Sequence, residues 1–273
     1  MSTAFARALD QLGGAIVSGD LPAGHADTVD GFVTRTGASR SVVREVTRVL
    51  TALGMLSAGR RVGLRVLGQE HWELLDPHVI RWRLDGPDRA VQVEELRALR
   101  RAVEPEAAAA AARAVGRDGA APAAGAVGRH DEEQVAALAA AAQAMAAAAG
   151  AEDPGGFLAA DRALHAAVLA LSGNGMFVRL GGVIEEALRS RALHERADLP
   201  PDPHDLALHR EVARAIIAGQ EARARDALAE IVDRTERSAG TGPTTRLCSD
   251  GRSRPMPTSR EDARAHCARD RGR

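Results

Sequence analysis

The stretch GASRSVVREVTRVLTALGML, residues 37–56, decides how the rest of the chain is read. Ser39 follows a Gly-Ala break and is a residue type that caps helices. Arg40 and Arg44 stand four apart, one helical turn, at the start of the segment. Val46, Val49, Leu50 and Leu53 continue behind them at helical spacing, which predicts a buried stripe. Two readings follow. The segment is an amphipathic helix with a solvated basic face, its arginines pairing with nearby carboxylates, or it is a helix whose leading end enters a DNA groove.

The flanks bear on that choice. Residues 3–18 predict a helix with Phe5, Leu9, Leu12, Ile16 and Val17 inside, ended by the turn SGDLPAG. Asp27 or Thr28 caps a second short helix that Gly37 closes, and Ser39 caps a third running to about Leu53. MLSAGRRVGLRVLG then reads as a β-hairpin with Arg60, Arg61 and Arg65 at or near its tip. Three helices and a hairpin in residues 1–68 make a winged helix-turn-helix pattern. A groove-reading helix needs free side chains at its leading end and a docked stripe behind. Arg40 and Arg44 suit guanine edges, and Ser39 and Ser41 suit phosphates.

Whole-chain charge gives no support for nucleic-acid binding, because the formal net charge is −1 over 273 residues. Local charge does: residues 1–67 hold eight Arg against four Asp and one Glu. Lysine is absent throughout, and aromatics are few, with four Phe, two Trp and no Tyr, so the core is built of Ala, Leu and Val. That composition suits close-packed helices. Cys248 and Cys267 form neither a disulfide framework nor a zinc spacing. No apolar run reaches membrane-spanning length, so no membrane partner is expected and the expected location is the cytoplasm.

Residues 69–89 read as a linker helix interrupted or kinked near Pro77, and residues 90–238 as an all-α bundle. Helices are expected over roughly 90–116, 131–149, 154–171, 174–196, 203–218 and 220–238. Residues 239–273, rich in Gly, Ser, Pro, Thr and Arg, lack apolar periodicity and are expected to be disordered. The fold class is therefore mainly α: a winged helix-turn-helix with a small hairpin, then a helical bundle that binds ligand and dimerises.

Within the bundle, Asp161 and His165 are four apart and share a helix face. His209 faces inward on a later amphipathic helix. One carboxylate and two imidazoles suit a first-row divalent ion with coordination positions left open. By spacing alone, an Asp-x-x-x-His pair is more often a surface or core hydrogen bond. Arg100 lies one turn before Glu104. It suits capture of a carboxylate ligand, or a structural ion pair with Glu104.

ASRSVVREVTRVLTALGML followed by GRRVGLRV resembles the GntR family of bacterial regulators. HWELLDPHVIRW and LRALRRAVEPEAAAAAA resemble its FadR subfamily, which has an all-helical ligand-binding domain. The resemblance implies DNA contacts at Arg40 and Arg44 and a wing Gly63 close to the DNA backbone. It departs before the second helix, where Val29 stands in place of an expected acidic residue. It implies a metal site at Asp161, His165 and His209, holding zinc, manganese or nickel, with Asn174 in the same pattern and Arg100 turned toward an effector. The family's further histidine falls on Ile231, which cannot ligate, and this leaves a three-ligand site completed by water or effector, Glu230 substituting from the adjacent position, or no metal at all. HWELLDPHVIRW further resembles sugar-acid regulators such as those for galactonate or gluconate.

The expected function is a ligand-responsive transcription regulator, a repressor of carbohydrate or organic-acid catabolism genes. As a homodimer it would bind double-stranded operator DNA and be released by a small carboxylate or sugar acid. The alternative is a metal-dependent enzyme using Asp161, His165 and His209. Against it, the sequence offers no separate general base or nucleophile.

Overall fold

The computed structural model describes residues 3–59, 63–118, 132–194 and 202–239. The expected tail beyond residue 239 and most of the Gly/Pro/Ala loop fall outside them. So do the hairpin-tip residues Arg60 and Arg61.

The first helix, α1 (Thr3–Val17), buries Ala8, Leu9, Leu12 and Ile16, the i, i+4 pattern its sequence predicts. A short strand β1 (Ala26–Asp27) precedes α2 (Val29–Thr36) and α3 (Arg40–Ala52). Of the two candidate caps, Thr28 serves α2, accepting from the Gly31 N–H, while Gly37 closes that helix at φ 65°. Ser39 caps α3, accepting from the Val42 N–H. Strands β2 (Leu56–Gly59) and β3 (Gly63–Val66) pair antiparallel, Leu56 opposite Val66. The sheet has three strands in the order β1-β3-β2, with Ala26 opposite Arg65. The sequence predicts only the hairpin; β1 is two residues long, too short to display alternation.

Gly63 holds φ at +75°, and a Cβ there would lie 2.6 Å from the Asp27 carbonyl oxygen. Its glycine is required by the approach of β1 to the wing. Behind these elements Leu9, Leu12, Phe32, Val43, Val46, Leu50, Met55, Val66 and Trp82 form one apolar cluster.

A 3₁₀ turn (Gln69–His71) leads to α4 (Pro77–Leu84). Pro77 begins this helix behind the cap Asp76 and kinks nothing. The linker is interrupted there rather than kinked, because at the first helical position the N–H that proline lacks has no intrahelical partner to lose. Six longer helices follow, with one short one among them. They are α5 (Arg89–Asp118), α6 (Glu132–Gly150), α7 (Pro154–Leu171), α8 (Gly175–Arg179), α9 (Gly181–His194), α10 (Pro203–Ile217) and α11 (Glu221–Ala239). Asp153 and Asp202 cap α7 and α10, each ahead of a proline. The single helix expected over 174–196 is two, broken at Leu180.

Ala107, Ala108, Ala111 and Ala112 of α5 are fully covered or nearly so, and pack with Leu164, Val168, Val212, Leu228 and Ile231. Alanine stripes let helix axes approach closely, which is how a core with so few aromatics fills its volume. α4 serves two cores: Val79 and Trp82 join the front cluster, while Ile80 and Leu84 join Leu96, Val183 and Ala187.

Candidate DNA interface and candidate metal centre

α3 divides along its length as the sequence predicts. Val43, Val46, Thr47 and Leu50 are buried, and Ser39, Arg40, Ser41 and Arg44 are exposed at its leading end. The Ser39 and Ser41 hydroxyls lie 3.0 Å apart. Arg40 Nη1 lies 2.8 Å from Asp30 Oδ1 on α2, both side chains more than half exposed. Exposed pairs of this kind contribute little and exchange readily. Arg44, also exposed, has no ion pair among the described residues. On β3, Arg65 Nη1 donates to the Gly24 carbonyl at 3.2 Å, which lays this side chain along the sheet edge.

The second constellation lies in the bundle. α7 carries Asp161 and His165, and α10 brings His209 to them. One donor atom from each lies within 4.8 Å of the others. His209 Nε2 is 2.9 Å from Asp161 Oδ1, and His165 Nε2 is 3.5 Å from the same oxygen. All three residues are buried. None of these three atoms has a hydrogen bond of good geometry.

The far sides of the two rings are fixed. His209 Nδ1 lies 2.6 Å from the Asp205 carbonyl, which can only accept, so Nδ1 carries a proton. His165 Nδ1 lies against Glu104, whose other oxygen accepts from Arg100 Nε at 2.5 Å. Both imidazoles therefore aim Nε2 at Asp161. For His209 this is the arrangement that ligating histidines take, the remote nitrogen donating to an oxygen acceptor, while His165 has a carboxylate against its remote nitrogen. Convergent buried donors without hydrogen bonds fit a divalent ion, and these three residues would hold it, leaving further positions open. Such an ion supplies Lewis acidity toward a carboxylate ligand when bound.

Electrostatics agree with a site built to hold positive charge. Burial alone would push the Glu104 carboxyl up, but Arg100 and His165 outweigh it and hold it at about 2. Burial would likewise raise Asp161, yet the two imidazoles hold it well below the usual carboxylate range. Burial opposes a charge on His165, but Glu104 and Asp161 overcome it and push the imidazole up to about 9. Without an ion, a proton on His165 occupies the same negative setting.

Ile231 is 1 % exposed and sits in the apolar cluster, so the family's further ligand position is filled by hydrocarbon. Glu230 does not replace it: its carboxylate lies 2.9 Å from His204 Nε2, with both side chains about half exposed. Asn174 is exposed and caps α8, its side-chain oxygen accepting from the Met176 N–H at 2.9 Å. The structure does not join it to the Asp-His-His group. Arg100 is buried and grips Glu104, reaching the centre through His165. Sequence reading sees Glu104 only as a partner for Arg100. Its contact with His165 depends on how α5 packs against α7, which no local spacing records.

Beside the centre, a cavity of about 350 Å³ opens between α7 and α9, its walls including Arg162, His165, Leu169, Ile184, Glu185 and Leu188. No described helix is long and apolar enough to cross a membrane.

The described residues thus combine a winged helix, its arginine-led third helix exposed, with a helical bundle that holds a buried Asp-His-His group. Residues 119–234 match the FCD domain family. A 46-residue stretch is 44 % identical to the uncharacterized HTH-type transcriptional regulator YieP of Escherichia coli (strain K12). That match covers 17 % of this chain and 20 % of YieP, so the chain matches about a fifth of the length of this curated relative. Among solved structures, Streptococcus agalactiae GntR is 21 % identical, with a TM-score of 0.46 over 86 % of this chain and 99 % of its own. E. coli McbR/YncC is 15 % identical, with a TM-score of 0.47 over 87 % and 97 %. The FCD match spans less than half of the chain and lies within its C-terminal helices.

Proposed function

We propose that the chain is a cytoplasmic, homodimeric repressor that reads a near-palindromic operator with one winged helix per half-site. The observation that carries this is α3: a capped helix whose leading turn exposes Ser39, Ser41 and an unengaged Arg44 while its rear stripe is sealed in the front core. Arg44 reads a base edge, Arg40 exchanges Asp30 for DNA, and Arg60, Arg61, Gly63 and Arg65 bring the wing to the backbone. The test uses duplexes that the wild type selects from a random pool. Arg44→Ala is expected to weaken binding to them by about 1–3 kcal/mol, roughly 5- to 150-fold, while leaving non-specific binding unchanged. Equal, salt-sensitive binding by both proteins would sink specific reading at this position.

In the bundle, Asp161, His165 and His209 hold one zinc, manganese or nickel ion, and a small carboxylate or sugar acid docks on its open positions. The donor geometry of the two imidazoles supports this reading. Effector binding shifts the population of head orientations and so the fit to two half-sites. A thermal-shift screen of sugar acids and dicarboxylates, with and without each metal, tests it: a true effector stabilises in a concentration-dependent manner that requires the ion.

A further inference from the structure

The two ends of the molecule are joined by neighbouring side chains on α4. Trp82 turns toward α1: its Nε1 donates to Asp10 Oδ1 at 3.0 Å, and its ring lies so close to Gly13 that a Cβ there would be 2.5 Å from three ring carbons. Arg81 turns the other way, its Nε and Nη2 both donating to Glu186 Oε1 on α9, at 3.2 and 2.5 Å. The other oxygen, Glu186 Oε2, accepts from Arg189 Nε at 2.7 Å, so α9 itself fixes the orientation of the carboxylate. Glu186 is 6 % exposed. At the other end of α4, Pro77 Cγ would be 2.9 Å from a Cβ on Gly182 of α9.

The apolar contacts of α4 with α9, Ile80 and Leu84 against Val183 and Ala187, are non-directional and tolerate sliding. A forked guanidinium on one carboxylate oxygen is directional and fixes register. Residues 183, 186 and 187 face α4, while Ile184, Glu185 and Leu188 line the cavity that α9 shares with α7, where His165 forms part of the wall. One helix thickness separates that cavity from the grip on α4.

We propose that Glu186 is the positioning residue that latches the DNA-binding end to the effector end, and that the Arg81–Glu186 contact is where the two are uncoupled. Filling or emptying the space beside α9 displaces Glu186, and α4 carries the displacement through Trp82 to α1. The regulatory part of this proposal rests on the function proposed above; the latch itself does not.

Amide hydrogen exchange on the full chain, without added metal, decides the latch. Peptides covering α4 are expected to exchange at least about tenfold faster in Glu186→Gln and in Arg81→Gln, and no faster in the double variant. Peptides from α5 and α11 are expected to keep their wild-type rates. Unchanged exchange in α4, or an equal rise in α5 and α11 that signals general destabilisation, overturns the proposal. A second arm adds zinc. Wild-type protection is expected to change in α7, α9 and α4, and in Glu186→Gln the change is expected to stop at α9. Propagation to α4 in the variant also overturns the latch, whereas no zinc effect in the wild type overturns the metal reading and leaves the zinc-free result standing.

Discussion

Glu104 shows how much of a site depends on a residue that contacts no ligand. It orients His165 by facing Nδ1, and Arg100 holds it in place. Replacing it with glutamine keeps the volume but removes the negative charge and halves the acceptors. Losing the partner that orients a ligating histidine typically weakens metal binding by about 10- to 100-fold. Glu104→Gln is therefore expected to bind zinc more weakly by that order in competition with a chromophoric chelator, whereas His165→Ala loses stoichiometric metal. Affinity equal to wild type in Glu104→Gln would show that His165 needs no orienting partner. The Asp161–His165 pair was legible because four residues along a helix bring two side chains to one face. His209 was legible from its helix's amphipathicity, although the meeting of α7 with α10 was not. Glu104 was hidden because its role comes from tertiary packing. Asn174 misled for the reverse reason: it matches a pattern, yet its oxygen is used by a helix start.

At the scale of elements, the third helix and the wing differ in what made them readable. α3 combines a cap and a period of 3.6, and the two signals agree. β1 has two residues and no periodicity, so its existence comes from β3 offering an edge. The α8–α9 break was obscured because apolar spacing runs on across Leu180. Gly63 belongs to this scale, since it sets how β1 meets the wing. Alanine there would meet the Asp27 carbonyl and occupy a left-handed conformation. Gly63→Ala is expected to cost about 1–3 kcal/mol, read as a lower urea midpoint. A midpoint within experimental error of wild type would mean that the backbone relaxes freely and that the β1 contact does not constrain the wing.

The whole molecule depends on the Arg81–Glu186–Arg189 group because it ties a helix of the bundle to the helix under the DNA-binding head. Its pH dependence belongs to Glu186, since both arginines stay charged across the accessible range. Burial would raise the Glu186 carboxyl, but Arg81 and Arg189 outweigh it and hold the group below its ordinary value of 4.5. The folded state therefore binds this proton less readily than the unfolded state. Its contribution to stability is fully present above about pH 4.5 and is lost as pH falls through the depressed native value. Glu104 and Asp161 have the same sign, so acid sensitivity of the wild type alone assigns nothing. The difference from Glu186→Gln does: the variant is expected to be the less stable protein at pH 6, and the gap in urea midpoint is expected to narrow steadily toward pH 3. A gap that stays constant over that range would mean that glutamine removes packing and not charge, and that the carboxylate's ion pairs do not hold the two ends together.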